Sequence, residues 1–221
     1  MKINKIILTL LVSVCLTSLS FSQEQNIPTA PVKLKEIKEP KNNWTMNLTF
    51  SDNGFGVGAT KYLNLSKDVA LFGSISVSAA KDDREFEQSD IFGNSVTPFK
   101  ENRVFMAPVI NLGMQFRLFS NDVSDNMRPY VNFGVAPAAI VYTPYNESFL
   151  SSFGKAKAKY TVGGFAGIGL DYLTSKTTGL SFNVRYYYLN LFGEGIRSLS
   201  TNEKKDFGGI YFIFGYNFMR K

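Results

Sequence analysis

Between residues 104 and 118, apolar and polar side chains alternate with a period of two. One row holds Val104, Met106, Pro108, Ile110, Leu112, Met114, Phe116 and Leu118, while the other carries Asn111, Gly113, Gln115 and Arg117 between less polar ends. Such alternation puts successive side chains on opposite faces of a β-strand. An apolar row this long exceeds what a soluble strand of about five or six residues presents. Seven further segments alternate in the same way, at 44–50, 55–62, 69–80, 129–142, 160–173, 180–192 and 209–218. Beyond the first residues of the chain, no window has the 3.6-residue period of a long amphipathic helix.

Eight dyad segments of roughly ten residues, apolar on one face and polar on the other, predict an all-β fold: an eight-stranded antiparallel up-and-down transmembrane β-barrel over residues 43–221. In this reading Ile110, Leu112, Phe116, Val184, Phe212 and Phe214 face lipid. Asn111, Gln115, Arg117, Asp171, Asn183 and Arg185 form a polar network inside. A soluble barrel would reverse the faces. The less apolar rows are too rich in Asn, Arg, Gln and Gly for an oily cavity, and the apolar rows too continuous to meet water. The interior of an eight-stranded barrel has room for side chains but not for a wide channel.

The links at 81–103, 143–159 and 193–208 are long, those at 64–68 and 175–179 short, and the one at 120–128 intermediate. The long links fall at one end, as expected for extracellular loops opposite periplasmic turns. The link at 51–54 belongs to the same end but is short, and its Asp-Asn-Gly is tight-turn chemistry. Tyr130 and Tyr142 bracket one segment and Tyr160 and Tyr172 the next. Twelve residues at about 3.3 Å each, tilted near 40°, project to roughly 30 Å, the spacing of two interfacial aromatic girdles.

The N-terminus adds a destination. Lys2 and Lys5 precede an apolar stretch at 6–16, and Ser20 and Ser22 are small residues placed for cleavage before Gln23, so residues 1–22 read as a cleavable signal peptide. The stretch is shorter than the ~20 apolar residues of a spanning helix. Cys15 is the only cysteine and lies inside this segment, with Val14 ahead of it where a lipoprotein signal carries a small residue. Without it, disulfides, thiol catalysis and thiolate metal sites drop out together. Residues 23–42, with three prolines and mixed charge, read as an extended periplasmic linker. Loss of Lys2 and Lys5 lowers the formal charge of +6 to about +4. The remaining Lys and Arg are scattered rather than gathered on one face, which argues against a nucleic-acid partner.

With signal, linker and strands placed, the chain resembles the small outer-membrane β-barrel family: the OmpA-like transmembrane domain and its OmpX- and OmpW-like relatives. The resemblance rests on strand number, loop parity and the aromatic last segment GGIYFIFGYNF. It implies location in the bacterial outer membrane, with outer-membrane lipid and the insertion machinery as partners. Tyr216 and Phe218 would serve as the insertion signal, although Met219, Arg220 and Lys221 follow where the family ends on the aromatic itself.

The chain has no histidine, which argues against the imidazole-dependent acylase, deacylase and protease activities of outer-membrane barrels. Asp82, Asp83, Glu85 and Glu87 read as a solvated loop rather than a paired-acid site. The glycine clusters at 54–58 and 163–169 lack the following helix that a phosphate cradle needs. They read instead as room for neighbouring rings. The expectation is a non-enzymatic protein without catalytic, cofactor or metal residues, acting structurally or through its extracellular loops on an envelope partner. The alternatives are a passive pore for small solutes and an envelope assembly or secretion accessory factor.

Overall fold

The computed structural model describes residues 42–82, 85, 88–89, 95–96, 99–120, 126–175, 177–200 and 202–219. The signal at 1–22 and the linker at 23–42, except Asn42, lie outside the described residues. Eight strands close into one barrel: β1 (Asn42–Ser51), β2 (Gly54–Asn64), β3 (Val69–Ala79), β4 (Asn102–Arg117), β5 (Met127–Pro144), β6 (Lys157–Leu173), β7 (Thr178–Tyr188) and β8 (Gly209–Met219). Each pairs antiparallel with its neighbours in sequence. β8 returns to β1 in a register running from Asn43 opposite Met219 to Ser51 opposite Tyr211. None of the eight barrel strands is left with an open edge, so every ladder of the wall is satisfied within it.

All eight predicted strands form. Two depart from the expected pattern, each for a local reason. In β4, Met106 opposes Ser78 and Val109 opposes Ser76, so Ala107 and Pro108 share one position across from Val77. This bulge adds a residue and flips the alternation on one side of it. Ile110 and Leu112 therefore face outward as expected, but Val104 and Met106, assigned to the same row, are buried inside. The segment expected at 180–192 leaves the barrel at Tyr188. Its continuation still pairs, with the Leu191 N–H donating to Lys205 and the Phe207 N–H to Leu189.

The outer face is a band of exposed apolar side chains. It includes Trp44, Met46, Leu48 and Phe50 on β1, Val57 on β2, Ile75 and Val77 on β3, and Phe212, Phe214, Tyr216 and Phe218 on β8. Rings mesh within it: Phe116 stacks on Phe133 at 5.7 Å, and Phe214 meets both Phe182 and Phe50. Tyr160 and Tyr172 are exposed at the two ends of β6, matching the girdle spacing. Tyr130 does not belong to that girdle. It is 3% exposed, because on β5 it shares the lumen row with Asn132 while Phe133 takes the outer row. Tyr142 also packs against the interior cluster.

Candidate functional site

In a barrel of this size, function is decided by what fills the lumen and what covers its ends. Small residues line much of the wall: Ser74, Ser76 and Ser78 on β3, Gly113 on β4, and Gly134, Ala136 and Ala138 on β5. They leave space that aromatic side chains from other strands occupy. Tyr62 meets Phe72 at 5.6 Å, Phe72 meets Phe165 at 5.9 Å, Phe165 meets Tyr187 at 5.5 Å, and Tyr187 meets Tyr211 at 4.8 Å. Phe72 on β3 and Phe165 on β6 are not neighbours in the wall, so their contact spans the lumen. Gly113 and Gly134 face each other in the β4–β5 ladder. A Cβ on either would lie 2.8–2.9 Å from the Phe165 ring tip, so the glycine pair makes the seat for that ring. Gly169 likewise seats Tyr130, whose Cζ would lie 2.4 Å from an added Cβ.

The polar residues assigned to the interior divide between two levels. Arg185 lies at the aromatic level. Its guanidinium is 4.5 Å from the Phe165 ring centroid and 5.4 Å from that of Phe72, and its Nη1 donates to the Tyr187 hydroxyl at 3.0 Å. Asn111 donates to Ser74 at 2.8 Å, and Asn183 donates to the Ile168 carbonyl at 3.0 Å. Buried oxygens of Asn111 and Asn183, and the Nε of Arg185, have no protein partner. They border a cavity also lined by Thr60, Ser76 and Tyr130, and a polar site of this kind is one that ordered water bridges.

The second level lies at the short-turn end. There Asp171 accepts from Gln115 and from Asn217, each at 3.4 Å, and lines a polar cavity with Arg117, Arg128 and Tyr130. Gln115, Arg117 and Asp171 are thus brought together. Arg185, expected in the same network, belongs instead to the ring level. Ile110, Leu112, Phe116, Val184, Phe212 and Phe214 lie on the outer row, as do Tyr216 and Phe218, whose rings meet at 4.8 Å.

The long-link end holds residues that sequence reasoning did not single out. The link at 189–208 carries Leu189, Leu191, Ile196 and Phe207, all buried and continuous with Ala80, Val104, Met106 and Ile140 of the wall. Phe207 is 0% exposed. This cap is tied down from several sides. The Asn53 side chain, in the tight β1–β2 turn, donates to the Gly208 carbonyl at 3.0 Å, and Lys204 donates to Asn53 at 2.7 Å. Lys159 on β6 donates to the carbonyls of Glu194 and Gly195. The link after β3 supplies Lys100 and Glu85, whose ion pair measures 2.5 Å, and Glu85 also accepts from Ser198. Burial alone would raise the Glu85 carboxyl. Hydrogen bonds from Lys100, Ser198 and the Asp82 backbone outweigh burial and hold its pKa below the usual carboxylate value. Asp83 and Glu87 lie outside the described residues. The one sequence signal for the cap was the apolar content of the link, Ile196, Leu199 and Phe207, which carries no strand period.

The sequence matches no protein-family model and no curated protein. Among solved structures it is similar to Neisserial surface protein A, at 10% identity over 81% of this chain and 94% of that one, with a TM-score of 0.50. It is also similar to the N-terminal barrel domain of Pseudomonas aeruginosa OprF, at 14% identity over 81% of this chain and 97% of that one, TM-score 0.49. A third neighbour is the outer membrane protein OprG of the same organism, at 12% identity over 82% of this chain and 98% of that one, TM-score 0.48. At 10% identity the likeness to Neisserial surface protein A shows the fold alone, that of a small eight-stranded barrel.

Proposed function

We propose that the chain is a sealed barrel of the bacterial outer membrane, which carries out no chemistry, conducts no solute and acts structurally or through contacts made by its long-link end. An edgeless wall with an apolar outer band fits a bilayer and would be costly in water. The observation that carries the functional reading is the double closure of the lumen. A chain of rings from Tyr62 to Tyr211 spans it, and Leu189, Leu191, Ile196 and Phe207 cover its mouth. A passive pore would need both layers to move aside. What remains available to partners is the surface of the long links, and an envelope protein is the class of partner that this surface would meet. The insertion machinery would read the outward aromatic pair Tyr216 and Phe218 on β8.

Planar-bilayer recording of the purified full chain tests the sealed state. The expected result is no discrete openings, both in the wild type and in Phe165→Leu, which shortens one ring but leaves the cap. Stable, reproducible conductance steps in the wild type would overturn the reading in favour of a pore.

A further inference from the structure

We infer that the link at 145–156 is an anchor in the outer leaflet, seating Phe149, Leu150 and Phe153 among lipid acyl chains beside the barrel wall. The inference rests on the membrane reading above and adds a lipid contact outside the strands.

The link is folded down along the outside of the barrel. Phe105 lies between the inward Val104 and Met106, so its ring is on the outer row of β4. Phe149, which opens the helical turn Phe149–Ser152, packs edge-on against that ring at 6.3 Å, and Phe153 packs against Phe149 at 5.1 Å. Arg103, also on the outer row of β4, holds the start of the link. Its Nη1 donates to the carbonyls of Pro144 and Glu147 at 3.0 and 3.1 Å, and its guanidinium lies 4.8 Å from the Tyr145 ring centroid. Ser152 is fully buried and returns its hydroxyl to the Phe149 carbonyl. The mouth of the barrel is covered by the link at 189–208, so the 145–156 link has a different task.

Pinned in this way, the turn still exposes its apolar side chains. Leu150 is 84% exposed, and Phe149 and Phe153 are about half exposed. Three large apolar groups on one short turn extend the lipid-facing band through Phe105, which Ala79 on β3 and Val141 on β5 flank in the wall. The chain then changes character. Residues 148–159 contain no acid, and Lys155, Lys157 and Lys159 follow the apolar group at every second position. Lys155 pairs with Glu147 and Lys159 with the carbonyls of the cap, while Lys157 is exposed. Lys157 and Lys159 share the inner row of β6 with Thr161, and Lys155 is paired with Glu147, so what the turn presents outward is its apolar group, joined to the lipid-facing band through Phe105. A water-facing loop gains nothing from such exposure.

The test uses fluorescence in vesicles of phosphatidylcholine and phosphatidylglycerol, with or without bromine on the upper acyl chain. Trp44 is the only tryptophan, so a Trp44→Phe background allows one reporter at a time: Leu150→Trp, Ile110→Trp as the lipid reference, and Glu194→Trp, on the exposed cap, as the water reference. The expected result is blue-shifted emission for Leu150→Trp, with brominated lipid quenching it several-fold, as for Ile110→Trp, and leaving Glu194→Trp unaffected. If Leu150→Trp behaves like Glu194→Trp while Ile110→Trp is quenched, the anchor is wrong and the membrane barrel stands. If Ile110→Trp also escapes quenching, both readings fall. Shielding of Leu150→Trp from bromine and from aqueous acrylamide alike would assign the patch to a protein and overturn the lipid contact.

Discussion

Arg185 places a guanidinium in the middle of the lumen and holds it there by ring faces and one tyrosine hydroxyl. A planar, weakly hydrated cation suits that seat, and a compact, strongly hydrated ammonium does not. Arg185→Lys is therefore expected to lower stability by about 1–2 kcal/mol despite keeping the charge, read as a shift in the urea midpoint of the lipid-reconstituted barrel. At the same scale, Gly169 is fixed by the Tyr130 ring, and Gly164 meets nothing closer than 3.7 Å. Gly169→Ala should cost about 1–3 kcal/mol through overpacking, whereas Gly164→Ala should be close to neutral in the same assay. Equal effects at the two positions would mean that ring seating is not what Gly169 provides.

The links are the elements with pH-sensitive ties. Glu85 is held below its ordinary pKa by the partners that fasten the β3–β4 link to Ser198 of the cap. Because its folded-state value is depressed, the stabilisation is full above the ordinary carboxylate range and is lost as pH falls through the folded value. Hydrogen exchange at residues 99–101 and 196–200 should accelerate beyond its intrinsic pH trend on acidification, and Glu85→Gln should remove that excess. The elements also mark where sequence reading stops. Strand number and the outer rows were legible because alternation survives in any register. The flip at Ala107 and Pro108 was not, since a bulge leaves a run of apolar residues looking unbroken. The cap was not legible because Leu189 and Leu191 keep strand alternation after leaving the barrel, and Ile196 and Phe207 have no period of their own. Arg185 was legible as an interior residue from the parity of β7. Its ring seat was not, because Phe72 and Phe165 come from strands distant in the sequence.

At the scale of the whole molecule, an edgeless wall, an apolar outer band and a lumen closed at two levels form one design, and all of it depends on which face meets lipid. Ile110 and Val184 lie on the outer row near the middle of β4 and β7, and Asn111 and Asn183 lie beside them on the inner row. An arginine on the lipid face near the midplane costs about 2–4 kcal/mol. The most direct test is the folding yield of the full chain into lipid vesicles, read by the shift in gel mobility between unheated and heated samples. Ile110→Arg and Val184→Arg should fold poorly, and Asn111→Gln and Asn183→Gln should fold at yields near wild type. Normal folding of Ile110→Arg together with failure of Asn111→Gln would contradict the assignment, because the apolar row would then have to face inward.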